Sequence, residues 1–242
     1  MSVDSVFVSG GTRGIGKAIA LRFARAGATK VAVGYMRNDA AAEETAEELR
    51  AAGAEPTLVR GNIASARIGE QISALGPLDV LVHNAATGVI RPALEVDEKH
   101  WDWTLGANAR ALITLAQAAV PQMRPGSTIV GISSLGASRV LDNYVLVGAS
   151  KAALESVVRY LGVELAPRGI RVNAVSAGVV ETEALEWFPN KDEMLATVHR
   201  TPAGRLVAPD DVAAAVSFLC SGDASMMCGQ TLIVDGGFSL KA

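Results

Sequence analysis

The chain has 242 residues, half of them hydrophobic, which is ample for one sizeable core and long for two. Its formal net charge of −3 offers no basic footprint for nucleic acid, and no apolar run approaches the ~20 residues needed to span a bilayer. Cys220 and Cys228, the two cysteines, lack metal-ligand spacing and read as free thiols in a reducing compartment. The start "MSVDSVFVSGG" lacks the charged head and long apolar stretch of a signal peptide, so the expectation is a cytoplasmic protein.

Short apolar, β-branched runs alternate with helical patterns along the chain. The predicted strands are 5–9, 30–35, 56–60, 79–83, 127–133, 170–176 and 230–235. Between them lie "IGKAIALRFARAG", "DAAAEETAEELRAAG", "ARIGEQISALG", a long helical stretch from His100 to Met123, another from Tyr144 to Ala166, and "PDDVAAAVSFLC". Near-continuous apolar strands imply a sheet buried on both faces. Strict alternation of strand and helix implies a parallel sheet with crossover helices. The predicted fold is therefore α/β: a doubly wound parallel sheet of about seven strands flanked by helices, in a single domain over residues 1–242. Gly27, Gly53 and Gly76 mark helix stops. One long irregular segment, about 177–208, reads as a substrate-binding loop.

"VSGGTRGIGKAIA" (8–20) follows the first strand and opens the first helix. Gly10, Gly14 and Gly16 permit a tight turn and close backbone approach to a diphosphate. The helix N-terminus then offers free N–H groups and a positive dipole end. Thr12, Arg13 and Ile15 belong to the same turn. An acid ending strand two would bond the ribose of NAD, yet the sequence there is "VAVGYMRN". Arg13 and Arg37 can instead clamp a 2′-phosphate by charge-assisted bonds, which points to NADPH.

Glycines spaced G-x-x-x-G-x-G, "NAA" (84–86), an Asn within a long helix, "ISS" (132–134) and "VDGG" (234–237) together resemble the short-chain dehydrogenase/reductase superfamily, with its Rossmann-like sheet, over essentially the whole chain. Within it, "SSLGASRVLDNYVLVGASKAAL" (133–154) is similar to the enoyl-acyl-carrier-protein reductases, which carry Tyr-x6-Lys. The NADPH-dependent FabL type is closest, through "TGVIRPALE" (87–95), "HWDWT" (100–104) and "ALEWFPNKDEML" (184–195).

The resemblance implies that Tyr144 donates to the thioester oxygen of an enoyl substrate carried on acyl-carrier protein or coenzyme A. Lys151 would hold the nicotinamide ribose and stabilise the tyrosine's anionic form. Ser134 stands where many enoyl reductases place a further tyrosine, and Asn108 matches the asparagine that supports a proton-relay water. Asn62 and Ile63 would lie at the adenine, and Asn84 and Ala85 along the cofactor. Gly178, Val180 and Thr182 would lie at the carboxamide and phosphates. Asn62, His83 and Ala177 depart from the usual aspartate, asparagine and proline. The family also implies a homotetramer, which the apolar helix 144–166, with small residues at Gly148, Ala152 and Ala153, would suit.

In most of the superfamily the tyrosine lies four residues before the lysine, and that position is Val147. At ~100° per residue, seven residues turn ~700°, so Tyr144 and Lys151 share a helix face ~10 Å apart along the axis. Reducing a ketone protonates the oxygen on the carbon that takes the hydride. Reducing an enoyl thioester puts hydride on C3 while charge gathers on the C1 oxygen, several bonds away, and the stabilising hydroxyl must move with it. A nearby ammonium is expected to lower the tyrosine pKa. Trp187 and Phe188 read as a substrate lid. Trp101 and Trp103 read equally as core or as acyl-pocket walls. A keto reductase of the same fold and a catalytically silent NADPH-binding subunit are the alternatives; Val147 argues against the first, and the set Ser134, Tyr144, Lys151 and Asn108 against the second.

Overall fold

The structure, a computed structural model, describes residues 3–182 and 195–240. Seven parallel strands, β1 (Ser5–Ser9), β2 (Lys30–Tyr35), β3 (Glu55–Arg60), β4 (Val80–His83), β5 (Thr128–Ser134), β6 (Arg171–Ala177) and β7 (Thr231–Val234), form one sheet. The order is β3-β2-β1-β4-β5-β6-β7. It reverses between β1 and β4, which opens a crevice at the carboxyl ends of those strands.

Alternation along the strands sorts side chains into two cores. Val6 and Val8 join Val31, Val33, Val80 and Val82 under α1 (Gly14–Arg25), with Leu49 of α2 (Asp39–Ala51). Phe7, Leu81, Ile129 and Val172 face the opposite layer, which is built from α3 (Arg67–Ser73), α5 (Ala111–Ala119) and α6 (Val145–Leu165). A last helix, α7 (Pro209–Cys220), lies beside α1 and adds Val212, Val216 and Leu219 to the first core. These largest side chains are almost fully excluded from water, at roughly 1.5–3 kcal/mol each by transfer.

The amino-terminal edge of the sheet is fastened by charge. The Asp79 carboxylate accepts from the amides of Asp4 (2.8 Å) and Ser5 (3.2 Å) and from Arg124 Nε (3.0 Å). Arg171, opening β6, donates to the carbonyls of Leu219 (2.5 Å), Ser221 (3.0 Å) and Ala224 (3.0 Å). A cation thus meets the negative end of α7.

Most strand limits shift by a residue or less from those predicted. The stretch His100–Met123 departs further. It breaks into α4 (Glu98–Leu105), a π turn over Gly106–Arg110, α5, and a 3₁₀ turn at Val120–Gln122. Pro121 at the last junction lacks the N–H that a continuing helix would use.

Candidate active site

A cleft of about 1340 Å³ runs along the carboxyl ends of the strands. At one end lies the glycine turn. Gly10 and Gly14 have φ of 63° and 51°. A Cβ on Gly16 would fall 2.1 Å from Gly10 O, so the turn closes on glycine alone. The N-cap of α1, Arg13, provides no side-chain cap, and the first turn holds no acid. The dipole end is left for an anion from outside. Thr12 is buried, and its carbonyl accepts from Thr45 Oγ1 (3.1 Å).

Arg13 and Arg37 are exposed and both line the cleft. Tyr35 ends β2 with Asp39 near its hydroxyl, and Asp39 pairs with Arg60 (3.3 Å). Asn62 and Ile63 line the wall after β3; Asn62 Oδ1 accepts from the Ala64 amide (3.0 Å). Across the cleft, Gly178 abuts Asp235, where a Cβ would approach to 3.0 Å. Val180 pairs with Val207, and the Thr182 methyl stands over Gly14. Ile15 lines the cleft, and Gly16 is buried.

The loop after β4 is tied to the glycine turn. Asn84 Nδ2 donates to Gly10 O (2.9 Å) and Ser9 O (3.2 Å), and the amides of Asn84 and Ala85 both donate to Ser9 Oγ (3.0 Å). His83 completes this network and had no assigned role in the sequence. Its Nε2 faces the carbonyl of Asn108 (3.2 Å), which can only accept, so Nε2 bears the proton and Nδ1 accepts from Ser9 Oγ (3.1 Å). Burial, with the Lys151 charge nearby, pushes His83 down to about 3; it stays neutral.

Asn108 sits in the π turn. Its side chain clasps Thr87, accepting from the amide (2.8 Å) and donating to the carbonyl (2.8 Å), and also donates to Ser150 Oγ (2.8 Å). Single π turns recur at functional sites. This one moves Asn108 out of an ordinary helical register, which a helical apolar pattern does not reveal.

Lys151 is buried on α6, and its Nζ donates to Ile132 O at 2.7 Å. Burial lowers its pKa to about 8. Tyr144 stands at the N-cap of α6, with φ −98° and ψ 8°, just outside the helix where it was predicted. Its hydroxyl donates to Ser134 Oγ at 3.4 Å. The expected lowering of its pKa is not found. Burial raises it and the Ser134 bond offsets only part of that, while the Lys151 ammonium is turned to Ile132 O. Tyr144 therefore keeps its proton at neutral pH, as a donor must.

Val147, where the standard tyrosine would stand, is buried against the loop after β4. A Cβ on Gly88 would fall 2.4 Å from Val147 Cγ2. Trp103 lines the main cleft, while Trp101 lines a separate groove with Val145. Gly136 carries no motif in the sequence, yet a Cβ there would meet the Tyr144 ring at 2.6 Å. Trp187 and Phe188 lie outside the described residues.

A glycine turn feeding an uncapped helix, with a tyrosine, a lysine and a serine across a switch-point crevice, defines a dinucleotide-dependent reductase cleft. Residues 10–239 match the family model described as enoyl-(acyl carrier protein) reductase, and the chain belongs to that branch of the short-chain dehydrogenase/reductases, a family of oxidoreductases. It is 37% identical over 243 residues to 1-cyclohexenylcarbonyl-CoA reductase of Streptomyces collinus, covering 97% of this chain and 86% of the relative. It is 36% identical over 239 residues to mouse (Mus musculus) L-xylulose reductase, covering 96% and 94%. A short-chain dehydrogenase from Burkholderia cenocepacia J2315 in complex with NADP superposes with a TM-score of 0.89 at 33% identity, covering 98% of both chains. A metagenomic blue fluorescent protein in complex with NADPH gives 0.88 at 34%, again over 98% of both.

Proposed function

We propose that this chain uses NADPH to reduce the C2=C3 double bond of a trans-2-enoyl thioester carried on coenzyme A or acyl-carrier protein. The observation that carries the reading is the pairing of Tyr144 with Lys151 at a spacing of seven, with Val147 packed at the standard tyrosine position. The Streptomyces relative is named for a CoA thioester whose double bond is conjugated to the carbonyl, and the family description names enoyl reduction.

The residues present fit the cofactor. The uncapped α1 N-terminus and the glycine turn suit the diphosphate, Arg13 and Arg37 the 2′-phosphate, and Lys151 the nicotinamide ribose. NADPH supplies a hydride when bound. Reduction at C3 would leave charge developing on the thioester oxygen, which falls to this chain's own donors. The protonated Tyr144 hydroxyl turns its one proton from Ser134 Oγ to this oxygen, and the Ser134 hydroxyl then donates to the phenol oxygen. C2 then takes a proton from solvent. Asn84, Ala85, Gly178, Val180 and Thr182, which line the cleft, would wall the cofactor, and Asn62 and Ile63 would lie toward its adenine end. Asn108 holds Thr87.

Tyr144→Phe removes one hydroxyl and little volume. Losing a donor aimed at a developing oxyanion costs ~10²–10³ in kcat. Following NADPH oxidation with a trans-2-enoyl thioester should show that loss, with NADPH affinity unchanged. A variant within threefold of wild type, with chemistry rate-limiting, would place the donor elsewhere.

A further inference from the structure

The segment between β5 and α6 ends in a turn with one unusual backbone conformation. Residues Leu141 to Tyr144 close a four-residue turn through the Tyr144 amide and Leu141 O (3.2 Å). Its third residue, Asn143, has φ 58° and is the only non-glycine residue with positive φ among the described residues. A positive φ at that position is the mark of a type II turn, and asparagine is the residue besides glycine that adopts it readily. Other L-residues are strained there. The residue is exposed, so the turn uses its backbone. Its carbonyl accepts from the Arg91 amide at 2.8 Å, which ties the turn to the segment that follows Gly88.

Tyr144 follows immediately. Helical bonding fixes only its carbonyl, which accepts from the Gly148 amide at 2.7 Å. The direction of the ring is set by the turn before it and by Gly136 beneath it, where even a methyl would meet the ring carbons at 2.6 Å.

We infer that Asn143 is a positioning residue for Tyr144: its left-handed backbone, latched to Arg91, sets where the hydroxyl stands relative to Lys151. The inference rests on the assignment of Tyr144 as the donor. Misplacing a reacting group by ~1 Å can cost ~10²-fold in rate, so a small change in the turn is enough to register.

The experiment measures NADPH oxidation with a short trans-2-enoyl-CoA for Asn143→Gly and Asn143→Ala, each also combined with Tyr144→Phe. Glycine accepts the positive φ, and Asn143→Gly should keep at least about a third of the wild-type kcat. Asn143→Ala should lose about tenfold or more in kcat while its KM for NADPH stays within about twofold. On the Tyr144→Phe background the difference between the glycine and alanine variants should vanish, as coupling through one hydroxyl requires. Equal kcat for the two variants would overturn the inference, and so would a gap that persists without the hydroxyl. If Asn143→Ala does not fold, Asn143→Ser is read by the same criteria. An impaired Tyr144→Phe beside an unimpaired Asn143→Ala sinks this inference alone. An unimpaired Tyr144→Phe sinks the donor assignment and this inference with it.

Discussion

Two single residues set how the cleft responds to pH and to cofactor. Lys151 is the first. Burial holds its pKa at about 8, so the free protein carries the ammonium below that pH and loses it above. The charged form is the one that donates to the cofactor ribose in the proposed mechanism. Profiles of kcat/KM for NADPH report the free enzyme and should therefore fall as pH rises through about 8. A flat profile to pH 10 would separate Lys151 from cofactor binding. Arg37 is the second. It follows the end of β2, where an acid would select NADH and none stands, and one charge-assisted phosphate bond is worth ~1.5–3 kcal/mol. Arg37→Ala should raise KM for NADPH about tenfold or more and leave NADH nearly unchanged. Equal use of both cofactors by the unmutated chain would remove the basis for that assignment.

At the scale of elements, α6 and the loop after β4 are fitted to each other through Val147 and Gly88. A tyrosine restored at 147 would have to enter space that Gly88 already borders. Tyr144→Phe/Val147→Tyr should therefore fail to recover enoyl reduction, and recovery above a tenth of wild-type kcat would show that the spacing does not matter. Much of this level was legible in the sequence. β2 was read to the residue, because "KVAVGY" is a short β-branched run between a glycine-terminated helix and a polar turn. The glycine turn was legible because only glycine permits Gly16 to lie on Gly10. The π turn was not, because "GANAR" has the same apolar periodicity in either helix. Nor was the left-handed Asn143, since "LDNY" fits several turn types. The tyrosine pKa is not legible either, because spacing gives proximity of backbones, whereas burial of the ring, which raises it, comes from the tertiary packing.

For the whole molecule, we expect a homotetramer. The outer face of α6 carries Val145, Tyr160 and Val163, exposed by 44%, 71% and 77%, with Trp101 of α4 at 44% beside it. Ala152 faces outward with them. Gly148, grouped with Ala152 from the sequence, instead lies inside against Gly136 O and serves the tyrosine rather than an interface. Light scattering at micromolar concentration should return four chain masses, and a single chain mass would refute the expectation. The fastening of the sheet by Asp79, Arg124 and Arg171 has a different consequence. These bonds gather at the edge opposite the cleft, so local opening should be graded along each strand rather than uniform. Amide hydrogen exchange should be slowest near Val80 and Ile129 and faster toward Ser133 and Ser134. The protein would then breathe from its catalytic edge while the other stayed shut, admitting and releasing bulky acyl groups without loosening the frame that holds them.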